Sequence, residues 1–319
     1  MDIGGSRFRL GLFAEDGARR SLFEAETLRS GGRDWMLAQL LERGRALLAE
    51  APAAVEACGI SFGGPVDFER QSVTSLRTPG WKDFELARWA QENFGIPARV
   101  LNDAKAGAWG EFRYGAGRGK NSLVYITLST GIGAGLVLNG ELVFGKDGLA
   151  GEIGHLPLLD GGPKCDCGGR GCLETLSSGR AIELRAQALA CRQPETLARV
   201  IQLSGGDVSR ITAKAVFEAA MQKEEGALFI AREATRWLAR GLMAAIRLFN
   251  PDVIVLGGGV SQAGEGLMQP LSKALDDLAA PSLPYSTEIV LTPLGNYSPL
   301  LGAAAIAWDL TRAAQYPIS

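Results

Sequence analysis

Residues 152–176 read EIGHLPLLDGGPKCDCGGRGCLETL, and this one stretch holds three of the chain's five cysteines, Cys165, Cys167 and Cys172, with its only histidine, His155. Cys165 follows His155 by ten residues, and the thiols continue as Cys-x-Cys-x4-Cys. One imidazole and three thiolates make the Cys3His donor set of a closed tetrahedral zinc site, and four protein donors leave no position open for a catalytic water. Gly168, Gly169 and Gly171 let the backbone fold tightly around a metal. A disulfide is the plainer alternative, but cysteines one residue apart do not easily reach bridging geometry. With His155 on zinc the chain has no spare imidazole, so any general base is a carboxylate or a lysine. Glu152 and Glu174 bracket the loop. Two carboxylates on a rigid loop can accept hydrogen bonds from several hydroxyls, as a sugar requires, and the bland reading is a pair of solvated loop residues.

Outside this loop the composition is that of an ordinary globular protein. The 319 residues carry 33 Lys+Arg against 35 Asp+Glu, a net charge of −2 and a pI near 5.7. That balance offers no electrostatic footprint for nucleic acid or an anionic membrane. No apolar run approaches the ~20 residues of a membrane helix, and MDIGGSRFRL has no signal-peptide pattern. Five cysteines do not make a disulfide scaffold, so the expectation is a reducing cytoplasm, with Cys58 and Cys191 as packed thiols. The length predicts two domains.

Strands and helices alternate, which indicates α/β architecture. Residues 7–13 set Phe8, Leu10 and Leu12 against Arg7, Arg9 and Gly11, as a half-buried strand does, and SLFEAE (21–26) reads as its hairpin partner. Helices are predicted over about 34–50, 83–94 and 226–249, strands over 55–62 and 98–102, and within 250–261 a buried strand running into a glycine turn and another helix. A glycine-interrupted hairpin is expected over 121–143, and a small-residue helix at the end. Glycine clusters stand at DIGGS (2–6), STGIGAG (129–135) and LGGGVS (256–261). None has the spacing of a Walker loop or a Rossmann fingerprint. Together they could set backbone N–H groups around phosphates, with Asp2 near a hydrated Mg²⁺.

DIGGS, LNDAKAGAWGE (101–111), STGIGAG, EIGH (152–155), CDCGGRGCLE (165–174) and LGGGVS occur in the order and spacing of one family. Over essentially its whole length the chain resembles the ROK family of sugar kinases and repressors. The resemblance implies the actin-like ATPase (ribonuclease H-like) fold, with two α/β domains and a cleft between them. The expected small domain is 1–118, to which a terminal helix over about 299–319 returns; the large domain, 119–298, carries the zinc loop and dimerisation helices. The implied activity is transfer of the γ-phosphoryl of MgATP to the 6-hydroxyl of a hexose, glucose foremost. N-acetylglucosamine, N-acetylmannosamine, fructose and mannose are alternatives, as is a weakly active sugar sensor.

Carried over residue by residue, the resemblance makes Asp103 the catalytic base and gives Gly64, Asn102, Glu152, His155 and Glu174 to the sugar. It gives Asp2, Gly4, Gly5, Ser6 and Arg7, with Ser129, Thr130, Gly131 and Gly133, to the phosphates, and Gly257, Gly258 and Gly259 to the nucleoside. His155 then holds zinc through one ring nitrogen and offers the other to a sugar hydroxyl. Implied partners are hexose, ATP and Mg²⁺, structural Zn²⁺ and further copies of the chain in a homodimer or homotetramer. The repressor branch reads DNA through an N-terminal winged helix, and with the kinase-like body beginning at Asp2 none is expected here. Some positions depart from the family pattern. Only Met1 stands where the family has an apolar strand, Ser6 and Arg7 replace threonine and lysine, Ser129 replaces glycine, and Lys105 replaces asparagine.

Overall fold

A computed structural model describes residues 1–75 and 78–315, so the last four residues of the expected terminal helix lie outside the described residues. The N-terminal sheet has the order β3-β2-β1-β4-β7. Strand β1 is only Asp2–Ile3, and the glycine turn after it leads into β2, Arg7–Phe13, which pairs antiparallel with β3, Arg19–Glu26. The hairpin closes through Asp16, whose Oδ1 accepts from the Ala18 N–H at 2.9 Å, and through Gly17 at φ +81°. Strand β4, Cys58–Phe62, runs parallel to β1 and to β7, Ala98–Asn102, with the short pair β5, Val66–Asp67, and β6, Ser72–Val73, in the connection.

Phe8, Leu10, Ile60 and Phe62 form one core with Met36 and Leu40 of α1, Gly32–Ala49, and with Leu86 and Ala90 of α2, Leu86–Phe94. The other face meets α10, Ser298–Gln315, so closely that a methyl on Gly59 would stand 1.7 Å from the Ala303 carbonyl oxygen. Because both faces are covered, the expected alternation in β2 fails at one place. Arg9 is buried with Phe8 and Leu10, since it pairs with acids inside the protein.

Helix α3, Asp103–Tyr114, follows β7 directly and packs on α10 through small residues. A methyl on Gly302 would come within 1.6 Å of the Ala106 oxygen, and one on Gly110 within 2.3 Å of the Ser298 oxygen. Trp109 Nε1 and Arg113 Nη1 then clamp Asp309 at 2.7 and 2.6 Å.

The second sheet repeats the first in order, β10-β9-β8-β11-β12. Its strands are β8, Leu123–Leu128; β9, Ile132–Leu138; β10, Glu141–Val143; β11, Val253–Gly257; and β12, Glu288–Leu291. The expected hairpin over 121–143 is therefore three strands, because Asn139-Gly140 makes a further turn with both residues at positive φ. Strand β11 is buried throughout, which explains its unbroken apolar run. The remaining helices are α4, Leu173–Ser177; α5, Gly179–Arg192; α6, Ala198–Leu203; α7, Ala213–Met221; α8, Glu225–Phe249; and α9, Glu265–Leu278. Helix α8 buries Ala231, Ala234, Leu238, Leu242 and Ile246 and ends on Asn250 at φ +43°. Cys58 is packed as expected, whereas Cys191 is exposed on α5.

The chain forms two units. One comprises Met1–Lys120, Gly135–Ala150 and the chain from Tyr297; the other comprises Asn121–Ala134 and Gly151–Asn296. No helix among the described residues is long and apolar enough to cross a membrane.

Candidate active site and metal centre

In the first unit, the start of α3 is built by two adjacent residues. Asn102 is the N-cap, its Oδ1 accepting from the Ala104 N–H at 3.0 Å and the Lys105 N–H at 3.4 Å. Its Nδ2 donates to the Gly64 carbonyl at 3.1 Å, which fixes the turn after β4 against the helix start. Asp103 is the first helical residue, half-buried, and its Oδ1 accepts from the Ala104 N–H at 2.8 Å. A methyl on Gly63 would lie 3.7 Å from Asp103 Oδ2, so this carboxylate faces the glycine turn. Lys105 is buried rather than solvated.

The turn Gly4–Ser6 is exposed at Gly5 and Ser6 and closed by the Gly4 N–H donating to the Arg7 carbonyl at 2.9 Å. Thr27 Oγ1 donates to the Gly4 carbonyl at 2.8 Å and Arg29 Nε to the Gly5 carbonyl at 2.5 Å, so side chains hold two of the turn's oxygens. Arg7 is exposed and pairs with Glu24 at 2.8 Å. Asp2 lies beneath, 5% exposed, with Oδ1 accepting from the Ser61 hydroxyl at 2.9 Å and Oδ2 from Arg9 Nη1 at 2.9 Å. Burial pushes its carboxyl above the usual range, against the pull of Arg9 and Ser61. With both oxygens engaged this carboxylate does not fit a bare Mg²⁺, a cation that keeps several waters and binds through nucleotide phosphates.

In the second unit, Ser129, Thr130 and Gly131 form the turn from β8 to β9, closed by the Ser129 N–H on the Gly131 carbonyl at 2.9 Å. Glu174, in the first turn of α4, reaches this turn, and its Oε2 accepts from the Ile132 N–H at 2.9 Å. A methyl on Gly131 would stand 2.2 Å from that oxygen, so glycine is what lets the carboxylate approach. The 3₁₀ turn carrying Glu152 and His155 is pressed on β9, where a methyl on Gly154 would be 2.0 Å from the Ile132 oxygen. Gly133 lies within β9. Gly257 ends β11, and Gly258, at φ +84°, turns against the Leu128 carbonyl, where a methyl would meet it at 2.5 Å. Gly259 faces open space.

His155, Cys165, Cys167 and Cys172 come together, their donor atoms all within 4.8 Å of one another. His155 Nδ1 lies 3.5 Å from Cys165 Sγ, and Cys167 Sγ lies 3.7 Å from Cys172 Sγ. Zinc bond lengths of about 2.3 Å to sulfur and about 2.0 Å to nitrogen give tetrahedral edges of about 3.7 Å between sulfurs and about 3.5 Å from sulfur to nitrogen. The donor set fits zinc, and all three thiols are free cysteines. Burial pushes Cys172 up to about 12 and raises Cys165, while the Gly169 N–H holds Cys167 down, so a cation entering the site releases protons from the buried pair. With Nδ1 turned to the thiols, His155 Nε2 is directed to the side of Glu152, 3.8 Å from its Oε2.

Arg9 and Ser61, which hold Asp2, are residues that the sequence reading does not single out. Neither carries a sequence signal: Arg9 falls with Arg7 on the polar side of the alternation in β2, and Ser61 is one residue of a buried strand.

The match to known proteins extends over the same residues. The model of the ROK family aligns with residues 1–309. A glucokinase of Thermotoga maritima is 35% identical over 309 residues, 96% of this chain and 95% of the relative. A crystal structure of a ROK family glucokinase from Streptomyces griseus with glucose and AMPPNP superposes with TM-score 0.82 at 35% identity, covering 97% of this chain and 98% of that one. A ROK hexokinase from Thermus thermophilus follows at TM-score 0.79 and 32% identity, covering 98% and 97%. The fold is that of the actin-like ATPases, and with the family model matching residues 1–309 the chain belongs to the ROK family.

Proposed function

We propose that this protein is an ATP-dependent hexose kinase, a glucokinase, that transfers the γ-phosphoryl of ATP to the sugar's 6-hydroxyl. One contact carries the reading beyond family membership. Glu174 of the zinc loop is hydrogen-bonded to the turn after β8, so one carboxylate links the proposed sugar side to a proposed phosphate turn. The glucokinases of Thermotoga maritima and Streptomyces griseus, alike over nearly the whole chain, support the same assignment.

In this account the domain of residues 1–118, with the terminal helix, supplies the base, and the domain of 119–298 supplies the sugar-binding carboxylates. Glu152, Glu174, His155 Nε2 and Asn102 hold the sugar hydroxyls, and Gly64 keeps the floor of the sugar site flat. Asp103 accepts the 6-hydroxyl proton as that oxygen bonds to the γ-phosphorus and the bond to the β,γ-bridging oxygen breaks, releasing ADP. A carboxylate within reach of the hydroxyl is a chemically suitable general base. The rest is positioning and charge stabilisation, to which the N–H groups of 4–7 and 129–133 contribute, with 257–259 beside the nucleoside. Mg²⁺ carried on ATP neutralises phosphate charge, and zinc fixes His155 and the loop that bears Glu174. The free thiols support a cytoplasmic location, and a homodimer or homotetramer is the assembly that the family resemblance implies.

The test is coupled ADP release with MgATP across hexoses and N-acetylhexosamines. Glucose-dependent turnover is expected. Turnover with an N-acetylhexosamine alone would move the substrate within the family, and sugar binding without turnover would make the protein a sensor.

A further inference from the structure

Arg9 is a buried charged residue within β2. Its guanidinium joins two acids, Nη1 to Asp2 Oδ2 at 2.9 Å and Nε to Glu24 Oε2 at 3.1 Å, and its carbon lies 5.4 Å from the centre of the Tyr297 ring. Glu24 gives its other oxygen to Arg7 of the glycine turn at 2.8 Å. The result is a continuous chain, Ser61–Asp2–Arg9–Glu24–Arg7, with the Arg9 side chain 10% exposed and that of Asp2 7%. Asp2 is thus the acid of the first glycine loop, and its charge is already answered from within the protein.

We propose that Arg9 is a positioning residue that shields Asp2 from free divalent cations, so that the metal enters this site only on the nucleotide. The inference rests on the reading of residues 2–7 as a phosphate loop. A buried carboxylate without a counter-cation is a ready cation seat, because an uncompensated buried charge is costly and a divalent ion relieves it. The guanidinium removes that opportunity, and it holds Asp2 in one place by a charge-assisted bond while its second bond to Glu24 keeps it from swinging away. Its face on Tyr297 fixes the plane of the fork.

The experiment is Mn²⁺ binding followed by electron paramagnetic resonance, without nucleotide, on the full chain and its variants. Arg9→Gln keeps a hydrogen-bond donor and removes the charge, and it should bind Mn²⁺ at least tenfold more tightly than the wild type. Asp2→Asn combined with Arg9→Gln should return to the wild-type level, and Arg9→Lys should stay there. A folded Arg9→Gln protein with unchanged Mn²⁺ affinity overturns the proposal, as does a gain that survives in the double variant. Should Arg9→Gln fail to fold, Asp2→Asn alone decides: unchanged nucleotide-free affinity agrees with a shielded Asp2, and weakened affinity contradicts it. Binding of Mn·ATP by the wild type is read separately and reports on the phosphate-loop assignment itself.

Discussion

Asn102 and Asp103 stand side by side and do different work. An aspartate before a helix is commonly its N-cap, but here Asn102 caps α3 and ties it to the Gly64 carbonyl, which leaves Asp103 as the first helical residue beside the glycine turn. Asp103→Asn should therefore keep the fold and the sugar affinity while kcat falls about 10³-fold, the usual worth of a positioned base. Initial rates together with a sugar titration check this, and near-normal turnover removes Asp103 from the mechanism. Gly131 makes a second prediction. A methyl there would crowd Glu174 off the Ile132 N–H, and a hydrogen bond to a charged group contributes about 1.5–3 kcal/mol. Gly131→Ala should raise the hexose KM by roughly tenfold or more with zinc content unchanged; an unchanged KM would show that Glu174 does not need this anchor. At this scale the sequence spoke through rare residue types. A lone histidine among three cysteines is legible because few other arrangements use that donor set. Arg9 was not, because alternation in β2 marks it as outward-facing and only the fold brings Asp2 and Glu24 to it.

The zinc loop and the crossing of α3 with α10 are the two elements on which the site depends. Cys167 is exposed, so replacing it removes little packing, and any effect of Cys167→Ser has to come through the metal. That variant should lose the one zinc per chain expected from elemental analysis. It should also melt about 5 °C lower and show a raised hexose KM, because His155 and the approach of Glu174 loosen together. Full zinc content with unaltered melting would refute the structural role. At the crossing, Gly302 meets the Ala106 carbonyl and Gly110 the Ser298 carbonyl with no room for a side chain. Gly302→Val should destabilise the chain by about 3 kcal/mol, read as a lowered melting temperature or denaturation midpoint; a neutral effect would mean that the two helices separate easily. The long periodic helix α8 was legible almost to its ends. The partners of α3 and α10 were not, since close packing of two small-residue helices nearly 190 residues apart in the chain is a tertiary fact.

Across the whole molecule, two five-stranded sheets share one strand order, β3-β2-β1-β4-β7 and β10-β9-β8-β11-β12. In each, a glycine turn follows the middle strand, 4–6 after β1 and 129–131 after β8, so the two proposed phosphate loops are equivalent places in a repeated architecture. No residue-level repeat reveals this, because strand order is set by which edges pair and tolerates wide change in side chains. The motifs were legible individually and their equivalence was not. The reaction proposed for these residues is transfer of the γ-phosphoryl of ATP to the sugar's 6-hydroxyl. The most direct measurement is ³¹P NMR of the products formed from MgATP and glucose. The account predicts a phosphomonoester coupled to the two protons of carbon 6, in equal amount to the ADP formed. Inorganic phosphate alone, or phosphorylation at another hydroxyl, would contradict it.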